Sequence, residues 1–306
     1  MPTSQPLRIK TITEYHRVMG LPKPEHPLIS VINLESIANH PGNEPINLVF
    51  DFYSISLKRN CNVKFKYGQQ QYDFDEGVMF FMAPNQVFGI EMEKGAVLKR
   101  SGWLLLIHPD FLWNTPLAKT IKQYEYFDYS VHEALFLSDK EEAMIIGIMQ
   151  QIDQEYRSNI DKFSQSLIIA QIELLLTYSE RFYQRQFITR QITNHKILNK
   201  LEDFMTEYFA GDMVAKKGLP TVQAIAETLN LSPNYLSSML KAWTGQSTQQ
   251  HIHEKLIEKA KEKLSTTELS VSEIAYELGF EHPQSFSKLF KTKTKLSPLE
   301  FRHSFN

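Results

Sequence analysis

Two short clusters of hydrogen-bonding side chains, fifty residues apart, carry the chemistry of this chain: Asn234, Ser237 and Ser238, then Gln284, Ser285, Ser287 and Lys288. Amides and hydroxyls near the start of a helix are the groups that donate to and accept from base edges in a DNA major groove. Lys241 and Lys291 follow the two clusters, where an ammonium would meet a phosphate. Other chemistries find less support. His251-x-His253-Glu254 has the spacing of a metal pair, but it falls on an expected helix, where residues two apart point about 200° apart and cannot share an ion. His16, His26, His40, His108 and His132 are scattered. The lone cysteine, Cys61, rules out a disulfide framework and a cysteine metal site. There is no Ser/His/Asp or Cys/His arrangement and no phosphate-binding glycine loop. We therefore expect no catalytic residue, no metal and no cofactor.

The elements that must hold the two clusters are legible because they occur twice. Thr221 to Leu231 reappears as Ser270 to Phe280, with Val222, Ile225, Ala226 and Leu229 matched by Val271, Ile274, Ala275 and Leu278. Leu236, Leu240 and Lys241 are then matched by Phe286, Phe290 and Lys291, one residue having been added in the turn. Thr221 stands where an N-cap hydroxyl is wanted, and Ser270 with Glu273 makes a capping box. Gly279 can take the left-handed conformation that ends a helix, and Asn230, the next best residue for it, occupies the equivalent place. Pro233 and Pro283 then open second helices near 233–242 and 283–292, which bury Leu236, Met239 and Leu240 or Phe286, Leu289 and Phe290. Each copy reads as a helix, a turn and a second helix. A connecting helix near 249–264, striped by Ile252, Leu256, Ala260 and Leu264, would hold the two reading helices about one DNA turn apart, near ~34 Å. A helical solenoid would need three or more copies.

These residues resemble the AraC/XylS family. The likeness rests on Glu273-Ile274-Ala275 through Leu278-Gly279-Phe280, Ser285 through Lys291, and Ser297-Pro298-Leu299-Glu300-Phe301-Arg302. It implies a bacterial transcription regulator with a two-lobed, seven-helix DNA-binding domain over 194–306, whose third and sixth helices enter adjacent major grooves of double-stranded operator DNA. Carried onto this chain, it gives the two clusters above as base-reading positions and Lys241, Lys291 and Arg302 as phosphate contacts. Two departures stand out. Lys295 occupies a place usually held by glycine, at a cost of about 1 kcal/mol if the backbone there is left-handed. Leu256 stands where the family tends to have arginine.

Charge agrees with that division. Of the chain's 33 basic and 35 acidic residues, 12 and 9 lie from Val214 onward, so the C-terminal part is mildly basic and the remainder acidic. That balance suits operator binding and argues against a sequence-blind DNA coat. Met1 to Pro6 has no signal-peptide pattern and no apolar run spans a membrane, so a cytoplasmic protein with no membrane partner is expected.

The N-terminal two-thirds changes texture twice. Residues 1–27 are polar and proline-rich, which suggests an irregular arm. From about 28 to 110, short β runs separated by turn residues suggest an antiparallel barrel or sandwich. The family resemblance makes this a cupin-like sensor barrel within a 1–185 sensor and dimerisation domain. Phe50, Phe52, Phe65, Phe80, Met82 and Trp103 are the candidate lining of an effector pocket. From about 140 to 183 the period turns helical. One stripe runs through Met144, Ile145, Ile148, Met149 and Ile152, and a second through Phe163, Leu167, Ile168, Ala170, Gln171, Leu174, Leu175 and Tyr178. An antiparallel helical hairpin is expected there, as the seam of a homodimer, with 186–193 as linker. The fold class is thus α+β in two domains. The function expected is sequence-specific transcriptional regulation under a small-molecule effector, with RNA polymerase as a further partner if the protein activates. A constitutive dimeric DNA binder and a cupin enzyme fused to DNA-binding helices stay open as alternatives.

Overall fold

The computed structural model describes residues 6–36, 46–59, 61–67, 70–74, 77–90, 101–130, 133–158, 161–189, 191–210 and 213–304. The chain falls into two units, Met1–Gln186 and Phe187–Asn306.

The first unit opens with an ordered arm rather than an irregular one. β1 (Leu7–Ile9) leads into α1 (Ile12–Val18), whose N-cap Thr11 accepts from the Glu14 amide. Among the polar residues of this arm stand Ile9, Ile12 and Tyr15, all three of which are buried. His16, also buried, donates from Nδ1 to the Pro22 carbonyl and accepts at Nε2 from the Ser30 hydroxyl at 2.8 Å. Burial holds its pKa below the usual histidine value, with the Pro22 bond opposing.

The strands that follow are β2 (Ile29–Asn33), β3 (Ile46–Phe50), β4 (Tyr53–Arg59), β5 (Cys61–Tyr67), β6 (Gln70–Phe74), β7 (Val78–Met82), β8 (Val87–Ile90) and β9 (Ser101–Ile107). After the short α2 (Leu117–Thr120) comes β10 (Leu135–Phe136). A closed antiparallel barrel was expected. The described strands instead form three sheets, ordered β10-β7-β4-β9-β2, β1-β3-β8 and β5-β6, and the arm's β1 joins β3 in parallel.

Register decides what faces what, because cross-strand partners share a face. Ser54 and Ser56 of β4 lie opposite Met82 and Phe80 on one side and opposite Leu106 and Leu104 on the other. Leu104 and Leu106 belong to a core cluster with Ile9, Ile12, Phe50 and Phe52, against which Met82 packs. Leu57 and Ile55 point the other way, together with Met79, Phe81, Trp103 and Leu105.

α3 (Asp139–Tyr156) packs on β2 and β9 and buries Ile145, Ile148, Met149 and Ile152, while Met144 stays exposed. α4 (Ser164–Thr189) splits the stripe read from its sequence into two faces. Ile168, Ile172, Leu175 and Leu176 turn inward, whereas Phe163, just ahead of the helix, and Leu167 and Leu174 within it are 57%, 49% and 44% exposed. Arg185 of α4 binds Glu141 of α3 at 2.5 Å and donates to the Phe136 carbonyl at 2.7 Å, fixing both elements to β10. The segment expected as a linker is helical on both sides of residue 190, since α4 runs to Thr189 and α5 starts at Gln191.

The second unit is helical throughout: α5 (Gln191–Ala210), α6 (Met213–Lys217), α7 (Val222–Leu229), α8 (Pro233–Thr244), α9 (Thr248–Thr266), α10 (Val271–Glu277), α11 (Pro283–Thr294) and α12 (Pro298–His303). The five-residue α6 is additional to the seven helices that the resemblance implied. α9 is the spine, with Ile252, Leu256, Ile257, Ala260 and Leu264 buried. Leu256 is fully buried, which explains in packing terms why an aliphatic residue stands there.

Candidate nucleic-acid interface

Each copy of the repeat closes its first helix as the residues require. α7 begins at Thr221, whose hydroxyl accepts from the Ala224 amide, and ends at Asn230 in the left-handed region at φ 54°. α10 begins at Ser270 with the reciprocal Glu273 bond to the Ser270 amide, which lowers the Glu273 pKa through those hydrogen bonds. It is followed by Gly279 at φ +78°. A Cβ at Gly279 would lie 2.9 Å from the Val214 carbonyl oxygen, so glycine is set there both by backbone hand and by the approach of α6.

The second helices carry the polar clusters. α8 starts with Pro233 behind the N-cap Ser232 and buries Tyr235, Leu236, Met239 and Leu240. α11 starts with Pro283 and buries Phe286 and Phe290, whose rings are 5.8 Å apart. Phe280 and Phe301 extend that aromatic stack, at 5.5 Å from Phe286 and 5.4 Å from Phe290.

The outward faces differ. On α11, Gln284, Ser285 and Lys288 are exposed and Ser287 is half-buried, with Lys291 and Lys293 exposed beyond them. On α8, Asn234, Ser237 and Ser238 are all half-buried, and only Lys241 of the expected set is exposed. Ser237 Oγ meets Thr248 Oγ1 at 3.1 Å, and Thr248 is wholly buried at the head of α9. Asn234 and Ser238 hold partners within the chain as well.

Arg302, for which the resemblance implied a phosphate contact, is engaged within the domain. Its Nε donates to the Leu264 carbonyl at 3.2 Å and an Nη to the Leu269 carbonyl at 2.6 Å, so the guanidinium ties α12 to the end of α9. The Leu264 carbonyl is one of those that the last turn of α9 leaves open.

Several positioning residues escaped the sequence reading. Trp243 of α8 is edge-on to His195 of α5 at 4.6 Å, and Tyr235 is edge-on to Phe187 at 5.2 Å. Thr244 Oγ1 donates to the Leu240 carbonyl at 2.8 Å and sits 3.0 Å from His251 Nε2. Lys263 of α9 reaches Glu277 of α10 at 2.7 Å. Only Thr244 had a visible signal, since Thr294 repeats it fifty residues on and donates to Phe290 in the same way. His251 and His253 use their rings separately, on Thr244 and Gln249. Burial, first among the causes, lowers the pKa of both. Among the described residues no group of His, Cys, Asp and Glu could hold a metal ion.

The candidate effector lining is not one surface. Phe50 and Phe52 stack at 5.0 Å inside the core cluster, and Phe80 and Met82 share the face that carries Leu104 and Leu106. Trp103 lies on the opposite face, in register with Leu57, because alternation sends neighbouring residues of β9 to different sides. Phe65 falls outside the described side chains.

The family profile described as a helix-turn-helix domain matches residues 225–304. Over 257 residues the chain is 24% identical to the uncharacterized HTH-type transcriptional regulator YfiF of Bacillus subtilis, covering 82% of this chain and 76% of that one. It is 24% identical over 255 residues to the HTH-type transcriptional activator RhaS of Salmonella dublin, covering 82% and 85%. It is also 31% identical over 85 residues to Histidine kinase P4 of Formosa agariphila, of which it spans only 6%. No described helix is long and apolar enough to cross a membrane.

Proposed function

We propose that this chain, a DNA-binding transcriptional regulator whose C-terminal domain is of the AraC/XylS helix-turn-helix type, reads its operator with α8 and α11. The observation that carries this reading is the face of α11: Phe286 and Phe290 anchor one side in the core while Gln284, Ser285 and Lys288 stand exposed on the other. α9 has nineteen residues and is therefore about 28 Å long. A spacer of that length suits two reading helices in successive major grooves on one side of the duplex. Lys241 and Lys291 supply the sequence-independent phosphate attraction.

The first unit is the regulatory part, a cupin-like sensor that responds to a small molecule and joins two chains. The apolar side chains of Phe163, Leu167 and Leu174 stand exposed at helical spacing along and just before α4, and a second copy of α4 is the partner that would cover them. A ligand shifts the regulator only in so far as it binds one arrangement of the protein better than another. The protein works in the cytoplasm, performs no catalysis, and contacts RNA polymerase if it activates.

The test is a fluorescence-anisotropy titration against pooled promoter fragments at two salt concentrations, with sequencing of the bound fraction. Enrichment of paired half-sites, each spanning two adjacent major grooves, is the expected result. Weak, sequence-blind binding that vanishes at higher salt would overturn the reading. Lys291→Ala is expected to lower the salt slope by about 1 and to weaken all sequences alike.

A further inference from the structure

A cavity of about 290 Å³ opens in the first unit beside β7, between that strand, the loop around 126–130 and α4. Its size is near the low end of small-molecule sites. Its walls are aromatic. Tyr126 and Tyr183 stack at 5.4 Å and 18°, Phe81 lies 4.5 Å from Tyr126, and Tyr129 stands edge-on to Tyr183 at 5.2 Å. The Tyr126 hydroxyl donates to the Leu176 carbonyl at 2.9 Å and the Tyr183 hydroxyl to the Glu133 carbonyl at 3.3 Å. These two tyrosines therefore contribute rings, not hydroxyls, to a ligand. Burial, before any neighbouring charge, pushes the Tyr126 phenol far above its ordinary value, so it stays neutral.

Among the described residues Asp128 is the only acidic side chain lining the cavity, and none of them contributes a lysine, arginine or histidine to its wall. The field of that carboxylate extends beyond its own contacts. After burial, it is the second cause that raises the pKa of Tyr53. Ring faces carry negative potential and attract cations, most strongly where water is excluded. A carboxylate added to such a box selects positive charge and opposes negative charge.

We propose that this cavity binds an organic ammonium ion, its cation held against the rings of Phe81, Tyr126 and Tyr183 and beside the carboxylate of Asp128. The site shares Phe80 and Met82 with the face of the sheet that carries Leu104 and Leu106, and adds Phe81, Tyr126 and Tyr183 to them. Its wall includes α4, the helix that also presents Leu167 and Leu174 to solvent. A ligand here bears on the element proposed to join two chains. As a regulatory site it rests on the reading of the first unit as a sensor.

The test uses three ligands with the same ring and different charge: phenethylamine, 2-phenylethanol and phenylacetate, titrated into the full chain by calorimetry. Phenethylamine is expected to bind at least tenfold tighter than the alcohol, and phenylacetate weaker than either. Asp128→Asn should remove the preference for the amine, and Val87→Trp, which fills the cavity from an exposed rim position, should abolish binding of all three. Equal affinity for the three ligands, no heat from any, or wild-type binding by both variants would overturn the proposal. Operator affinity measured with and without phenethylamine separates this inference from the sensor reading. If the amine binds as expected and operator affinity does not move, the site stands and the sensor reading falls. If operator affinity responds identically in wild type and both variants, the sensor reading stands and the site falls.

Discussion

The two helix-turn-helix copies share one sequence pattern and hold their second helices in different ways. In the first copy, α8 is wired at many points: Ser237 to the buried Thr248, Thr244 to His251, Trp243 to His195 and Tyr235 to Phe187. Its polar face is half-buried as a result. In the second copy, α11 is held from beneath by Phe280, Phe286, Phe290 and Phe301, and its polar face is left to solvent. Pro298 stands where the first copy has Thr248, so Ser287 lacks the hydroxyl partner that Ser237 has. A helix fixed by its own polar side chains has fewer of them to offer a base edge, whereas one fixed by an aromatic core keeps them all. The difference suits the first copy to anchoring and the second to discrimination.

The largest expected effect strikes the core on which the second copy depends. Phe290 is fully buried, and Phe290→Ala should cost about 3–5 kcal/mol of stability, with Leu240→Ala at the equivalent place costing about 2–5. Urea unfolding of both variants checks this, and a cost under 1 kcal/mol for Phe290→Ala would show that the aromatic stack does not hold α11. Next comes the direct test of anchor against reader. Gln284→Ala should weaken operator binding by about 1–3 kcal/mol and relax preference at one base pair, with little change on random DNA. Asn234→Ala should lose less operator affinity than Gln284→Ala. Equal losses of specificity from the two would erase the distinction. Thr248→Val removes a buried hydroxyl and should cost about 1–1.5 kcal/mol in stability, read from the thermal midpoint. It should also weaken binding to all sequences, since it loosens α8, while it frees the Ser237 hydroxyl that Thr248 holds.

Much of this was visible before any coordinates, for a physical reason. A duplicated pattern confirms itself: caps at Thr221 and Ser270, left-handed ends at Asn230 and Gly279, and apolar positions one turn apart carry the same information twice. The exposure of Gln284, Ser285 and Lys288 on α11 followed because an amphipathic helix has only two faces. What stayed hidden was long-range. Nothing local marks Ser237 for Thr248, or Arg302 for the carbonyls of Leu264 and Leu269. In the first unit, short apolar runs between turn residues marked a stretch of β-structure but could neither delimit every strand nor pair them. The parallel union of β1 with β3, the separate sheets and the placement of Trp103 opposite Phe80 depend on register between distant segments. The stripe on α4 was read as one face, whereas Ile168 and Leu175 are buried and their neighbours Leu167 and Leu174 exposed, a division that apolar type alone does not make. Of the aromatic cavity beside β7 only Phe80 and Met82 were marked in the sequence, since Phe81, Asp128 and Tyr183 join them only in the fold.

The smallest effect separates the copies most cleanly, because it concerns one residue and no contact across the domain. Gly245 and Lys295 close α8 and α11 at the same point of the repeat, and both take the left-handed conformation, at φ 77° and 67°. Each backbone amide then bonds the carbonyl four residues back, Lys241 or Lys291, at 3.1 and 2.9 Å. Glycine adopts this conformation without strain, while a Cβ meets the following carbonyl. Lys295 therefore carries a cost that Gly245 does not, and its Nζ, 3.3 Å from the Thr292 carbonyl in an exposed setting, offsets little of it. Lys295→Gly should stabilise the protein by about 1 kcal/mol, and Gly245→Lys should destabilise it by a similar amount. Both are read from denaturation midpoints. If Lys295→Gly gains stability and loses operator affinity, the lysine is retained for its charge beside Lys291 and Lys293 on the reading side. If it gains stability and leaves affinity untouched, the strain at the end of α11 serves no contact with DNA, and the second copy's hold on the operator lies in the exposed face of α11 alone.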